Sequence, residues 1–280
     1  MKKIALLLIA GLICMPAKAN NYMTYCPQVP QKSNVTISKI LGTNFLSQKI
    51  GESIIKKELK KETKGKFKVS LKSRSMGDLI NGRFNSLSMV GKNLDVEGVK
   101  ISKFSSKTLC GYNSVQLNKD SVAFRENMVL DYALEITDND LEQTLDANGY
   151  LTALRNFKIQ AGGFNLLKVE TATVKIRENK LYFIFNAKSP MFAKNFPLVL
   201  KSDIEIKNGR LGLKQLQTVN TVAGINLTPL VKLLEKTSPI AFTSAIMDNE
   251  NSKVSVDTIK IVNNVIVING YVLIPKNVTT

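Results

Sequence analysis

Histidine and tryptophan are both missing from the 280 residues of this chain. Without an imidazole, no Ser–His–Asp triad and no histidine general base can be assembled, and acid–base chemistry of that kind is excluded. Cysteine is scarce, with three residues, and acidic residues are few: 22 Asp and Glu stand against 39 Lys and Arg. Long apolar runs are lacking too. The N-terminal run over residues 4–13 falls far short of the roughly 20 residues a transmembrane helix needs, and no later stretch is longer and as apolar.

That N-terminal stretch has the order of a secretory leader. Lys2 and Lys3 precede the apolar run, and Ala17-Lys18-Ala19 supplies a small-x-small cleavage step. The expectation is a signal peptide over residues 1–19, an irregular arm over 20–43 that carries Pro27 and Pro30, and one domain over 44–275. Cys14 raises the alternative of lipid attachment, but Ile13 stands where a small residue is needed. The protein is then periplasmic or secreted, soluble or peripherally associated with a membrane.

Removing Lys2, Lys3 and Lys18 with the leader lowers the formal charge from +17 to +14. A field of that sign attracts anionic lipid or other polyanions. Export and the lack of any recognition module argue against nucleic acid. Cys26 and Cys110 would remain after cleavage. In an oxidising compartment an isolated pair reads as a disulfide more readily than as a metal site, with two independent thiols as the alternative. No cofactor or metal is implied. Asp138 and Asp140 lack the spacing of a calcium loop; Asp131 and Glu135 are a conceivable carboxylate pair that nothing singles out. The expectation is a protein that is not an enzyme.

Apolar spacing at Phe45, Ile50, Ile54, Ile55 and Leu59, with Glu52, Lys56, Lys57 and Lys60 between, predicts an amphipathic helix over residues 44–65. Its apolar stripe packs on a sheet, or its basic face rests on an anionic membrane. Alternation predicts strands over 66–71, 84–90, 94–101, 104–115 and 129–136, with breaks at 91–93 and at Gly98 and a bend at Gly111. Thr137 three residues before Asp140 reads as a helix cap, and Ala147-Asn148-Gly149 either closes that helix or interrupts one that continues through residues 150–157. Gly162-Gly163 reads as a turn or bulge. Strand pairs follow at 164–176 with 181–187, at 198–206 with 211–216 through Asn208-Gly209, and at 254–262 with 265–273 through Asn263-Asn264. Short helices are expected over 227–234, with Pro229 in the first turn, and over 240–247. Helices arrive between groups of strands, which argues for an α+β fold: a long curved antiparallel sheet packed around or against amphipathic helices.

Two segments, Gly82-Arg83-Phe84-Asn85-Ser86-Leu87 and Asn93-Leu94-Asp95-Val96-Glu97-Gly98-Val99, followed by Ile136-Thr137-Asp138-Asn139-Asp140-Leu141 and Asn208-Gly209-Arg210-Leu211, resemble in their order the LmeA-like phospholipid-binding family of bacterial envelope proteins. The resemblance covers residues 45–273. It departs at the arm bearing Cys26 and at Asp248-Asn249-Glu250-Asn251. It implies a tubular lipid-binding fold, in which a curved sheet wraps a helix and leaves a groove for acyl chains, and a role in binding or carrying phospholipid.

Such a groove needs an apolar lining and cations at its mouth. The lining candidates are Leu79, Phe84, Leu87, Phe157, Phe164, Leu166, Phe183 and Phe185, each of which is otherwise ordinary core. Mouth candidates are Lys66, Lys68, Lys72 and Arg83, otherwise a solvated strand edge. Pro190 and Pro197 bracket Met191, Phe192 and Phe196, which read as a membrane-touching or lid loop, or as a buried connector. The expected partner is phospholipid or an anionic membrane surface. The rival reading is a structural or protein-interaction module with an envelope protein partner.

Overall fold

The computed structural model describes residues 22–28, 43–117, 122–147, 149–161, 164–190, 194–207, 210–220, 226–236 and 252–277. The expectations for the leader, for Gly162-Gly163, for Asn208-Gly209 and for residues 240–247 fall outside them.

The first long element is helix α1, Thr43–Glu62, and it turns directly into strand β1, Lys64–Lys72. Thr63 closes the helix by returning its N–H and its hydroxyl to the Leu59 carbonyl, at 3.0 and 2.7 Å. Gly65 follows at φ +140, where a Cβ would stand 2.9 Å from the Asn93 carbonyl oxygen. A side chain at that position would jam the return of the chain. A short helix α2, Met76–Ile80, is capped by Ser75, whose hydroxyl accepts the Asp78 N–H at 3.0 Å.

Next come β2 (Arg83–Phe84), β3 (Ser86–Val96) and β4 (Val99–Thr108). The break expected at residues 91–93 is absent, because β3 runs through it. Asn93 takes a left-handed φ of 51 inside the strand, and the chain reverses at Glu97-Gly98, with φ 49 and 88. The glycine at 91 therefore marks a core-facing position in a strand, and the next glycine makes the turn. Strands β5 (Asn113–Leu117), β6 (Val122–Phe124) and β7 (Met128–Ile136) lead to helix α3, Asp138–Ala147.

The cap of α3 is a reciprocal pair. Asp140 N–H donates to Thr137 Oγ1 at 3.2 Å while Thr137 N–H donates to Asp140 Oδ2 at 2.8 Å. This is a capping box with Asp in place of the usual Glu. Ser102 of β4 also donates to that carboxylate, so the helix start is fastened to the sheet. Gly149, at φ 70, separates α3 from α4, Tyr150–Arg155.

The second half is a meander of β8 (Lys158–Ala161), β9 (Phe164–Arg177), β10 (Lys180–Lys188), β11 (Phe196–Lys207) and β12 (Arg210–Thr218). Glu178 and Asn179 turn between β9 and β10 with φ 50 and 58, the pair of left-handed residues a two-residue hairpin requires. Helix α5, Thr228–Lys236, carries Pro229 in its first turn. Strands β13 (Lys253–Val262) and β14 (Val265–Ile274) close the fold through Asn263 and Asn264, at φ 52 and 61.

All observed strand pairs are antiparallel, but they form two large sheets instead of a single long one. One has the order β1-β3-β4-β7-β14-β13, the other β12-β11-β10-β9-β8, and β2-β5-β6 form a small third. Long-range pairing of β7 with β14, Ile136 against Ile266 through Met128 against Ile274, places β14 inside the first sheet with β13 at its edge. The result is a mostly antiparallel α+β fold with a curled, half-barrel sheet. Helix α3 touches both large sheets, at β4 and at β9, and β11 lies against β13. Their apolar faces share one continuous core that includes Phe67, Phe104, Leu134, Leu145, Phe183 and Phe185.

Residues 22–28 of the N-terminal arm are among those described. Residues Tyr22–Tyr25 form a turn of 3-10 helix, and Cys26 meets Cys110 with the sulfurs 2.13 Å and the Cα atoms 5.3 Å apart. A disulfide therefore ties the arm to the loop after β4. Around it Tyr22, Val129 and Leu273 make a small separate apolar cluster. Such a bond belongs to an oxidising compartment. Among the described residues, no helix is long and apolar enough to cross a membrane.

Candidate functional site

The site begins with the seating of α1 on the edge strand β1. Gly51 permits the approach: a Cβ there would lie 2.8 Å from the Leu71 side chain. Leu59 is buried and Ile55 partly buried against the sheet. Next to Gly51, Glu52 reaches the strand edge, where its Oε1 accepts the Leu71 N–H at 3.0 Å and its Oε2 accepts from Lys49 Nζ at 2.6 Å. Burial pushes the Glu52 carboxyl up, but the Lys49 ammonium and the Leu71 N–H outweigh it and hold the group below its ordinary value.

In an antiparallel ladder alternate residues address the partner strand and the open side. Leu71 addresses the open side, through Glu52, and so do Phe67 and Val69, which share its parity. Between this edge and the helix lies a groove of about 580 Å³. Lys49, Glu52, Ser53 and Lys56 line it from α1, Phe67, Lys68, Val69 and Ser70 from β1, and Ser88 and Val90 from β3. Ammonium and hydroxyl groups in one cleft with apolar carbon suit an anionic group carried on a short apolar stem.

The basic character extends over the outer face of the first sheet. Lys66, Lys68 and Lys72 are exposed on that face of β1, and Lys66 pairs in register with exposed Lys92 of β3. The basic field ends at β7. There Glu135 holds Lys103 at 2.5 Å, and Asp131 accepts the Lys107 N–H at 2.7 Å. Burial raises the Asp131 carboxyl above its ordinary value despite that hydrogen bond. Asp131 and Glu135 share a face but lie four residues apart along one strand, about 13 Å by the strand rise. That exceeds the spacing of a glycoside-cleaving pair.

The residues expected to line an acyl groove are placed as follows. Phe84, Leu87, Phe183 and Phe185 are buried in the common core, the last two at 0% exposure. Leu79 and Phe157 are partly buried against it. Phe164 and Leu166 lie on β9, with side chains outside the described set, and Met191 and Phe192 lie outside it altogether. Phe196 is half-buried at the start of β11, opposite Ala187. Of the mouth residues, Lys68 lines the groove, Lys66 and Lys72 lie on the same sheet face, and Arg83 is exposed on β2 opposite Ser114. Sequence reasoning missed Lys49, Ser53, Ser70 and Ser88 as neighbours of Lys68. The only signal was the run of lysines at every second position of a strand, which does not say which helix lies alongside.

Comparisons with protein-family models, with curated proteins and with solved structures returned no match.

Proposed function

We propose that this is an exported, non-enzymatic protein of the bacterial envelope that binds phospholipid, with the anionic headgroup seated in the α1–β1 groove. The observation that carries the reading is the groove itself, where Lys56, Lys68, Ser53 and Ser88 line one cleft together with the apolar side chains of Val69 and Val90. Phosphate takes charge-assisted hydrogen bonds from the ammonium groups, and the glycerol carbons lie against the apolar side chains. The secretory leader and the Cys26–Cys110 bond support an envelope location. The curled sheet supports the likeness to tubular lipid-binding folds.

Carriage of whole acyl chains is a further step. Phe183, Phe185 and their neighbours are packed without exposure, so chains entering between the sheets would have to part closely packed side chains. That packing favours a second reading, a structural or interaction module of the envelope. Titration with a soluble short-chain phosphatidylglycerol, together with lipid extraction from the exported protein, separates the two. Saturable binding that Lys56→Glu and Lys68→Glu weaken supports the headgroup site, and co-purifying lipid at one per protein supports carriage. Failure of both leaves the interaction module.

A further inference from the structure

Helix α1 has one apolar face packed inward and another turned outward. Leu59 and Ile55 point to the sheet, and at 3.6 residues per turn Ile50 and Ile54 fall on the opposite side. There they stand 63% and 49% exposed. The expectation that all five apolar residues of this helix form one buried stripe is therefore corrected: Ile50 and Ile54 face solvent, and the side chain of Phe45 lies outside the described set. Helix α2 touches α1 and repeats the arrangement, with Met76 and Ile80 four residues apart and 38% and 72% exposed. Of the large apolar side chains exposed among the described residues, half sit on these two helices. Scattered exposed apolar residues are ordinary; a concentration on two adjoining helices is not.

We infer that the outward ridge of α1 and α2 is a membrane-docking face that inserts Ile50, Ile54 and Ile80 into an anionic bilayer. Charge selects the occupant. Between Thr43 and Lys72 the chain has nine lysines against three glutamates, and Lys56, Lys57 and Lys60 are exposed on the same helix. A second copy of this chain would bring two such fields together and be repelled, whereas an anionic lipid surface is attracted by them. Apolar side chains beside lysines are the composition of a helix lying in the plane of the interface. The inserting residues Ile50, Ile54 and Ile80 are distinct from those lining the groove, so insertion does not depend on headgroup binding there. The inference shares with the proposed function the choice of phospholipid as partner and the charge of Lys56.

The test uses the full exported chain with its disulfide intact. Because the chain has no tryptophan, Ile80→Trp installs a single reporter. Vesicles of phosphatidylglycerol and phosphatidylcholine should shift its emission to the blue and expose it to quenching by brominated acyl chains, while phosphatidylcholine vesicles alone should not. The double variant Ile50→Ser/Ile80→Ser should lose vesicle co-sedimentation by about tenfold or more, and its thermal unfolding should match the parent because both side chains already face water. It should still bind soluble short-chain phosphatidylglycerol if the groove reading holds. Loss of short-chain binding in the parent, with vesicle docking retained, would sink the groove and leave the docking face standing. An unshifted emission while vesicles bind, or a dimer in sedimentation that the serine variant dissolves, would overturn the docking face.

Discussion

The Glu52 carboxylate closes part of the open edge of β1 by accepting the Leu71 N–H at 3.0 Å, nineteen residues away in sequence. A helix side chain thus does what a neighbouring strand would do, and the edge is blunted where it would otherwise invite pairing. Removing the acceptor with Glu52→Ala should cost about 1–3 kcal/mol, the range for leaving a part-buried donor unsatisfied. Urea unfolding monitored by circular dichroism would measure it.

The same contact sets a pH dependence. The folded-state pKa of Glu52 lies below its ordinary value of 4.5. Its contribution is therefore full above that ordinary value and is lost as pH falls through the lower, folded value. Glu52→Gln cannot titrate, so the stability gap between parent and variant should be widest near neutrality and should narrow on acidification below about pH 4.5. A gap that stays constant down to pH 3 would mean the carboxylate charge contributes nothing at this edge.

The groove predicts a particular salt response. Lys56→Glu/Lys68→Glu reverses two charges at the site and should weaken short-chain phosphatidylglycerol binding by about tenfold or more. Raising ionic strength from 0.05 to 0.5 M should weaken the parent and affect the variant much less, because exposed charges are screened over roughly 10 Å at 0.1 M. Isothermal titration at the two salt concentrations would decide it. Equal affinities in parent and variant would detach binding from this groove.

Much of the fold could be read from the chain because short-range chemistry dictated it. Asn263-Asn264 and Glu178-Asn179 turn where left-handed residues are tolerated, Thr137 and Asp140 cap α3 within four residues, and Cys110 is the one cysteine that follows Cys26 in the sequence. What could not be read was set by distant partners. Asn93 bends inside β3 without ending it, because β1 and β4 hold the strand on both sides. Ile50 and Ile54 have the spacing of core residues, yet the turn of the helix that fits against Leu71 leaves them outside. The groove was hidden for the same reason. Its residues come from three elements, and only the packing at Gly51 decides which lysines meet.

The Cys26–Cys110 bond spans 84 residues of sequence, and it is the link between the 3-10 turn and the small cluster at Val129 and Leu273. Closing so long a loop in the unfolded chain should make the bond worth about 2–5 kcal/mol. Cys110→Ser, or reduction with dithiothreitol, should lower the urea midpoint by a matching amount and open the segment around Tyr22–Tyr25 to limited proteolysis. If the arm stays protected after reduction, noncovalent contacts hold it, among them the Tyr22 packing and the Asn127 Nδ2 donation to the Tyr25 carbonyl at 3.3 Å.

The sharpest test of the central sheet lies where β7, β14 and β13 meet. Tyr132 of β7 reaches across Gly270 of β14 and donates its hydroxyl to the Ser255 carbonyl of β13 at 3.0 Å. Burial holds that phenol protonated, well above its ordinary value. Gly270 is what lets the hydroxyl pass: a Cβ there would stand 1.8 Å from the Ser255 oxygen and 2.6 Å from the Tyr132 hydroxyl. Tyr132→Phe removes the donor and leaves the carbonyl unmet, at a cost of about 1–3 kcal/mol. Gly270→Ala must push back the strand itself, since the clash is with backbone, and should cost more, about 3 kcal/mol or above. The double variant should be less destabilised than the sum of the two, because the alanine displaces the hydroxyl whose loss the phenylalanine mimics. Unfolding free energies for the three variants would test this, and strict additivity would show that the tyrosine and the glycine do not act on the same hydrogen bond.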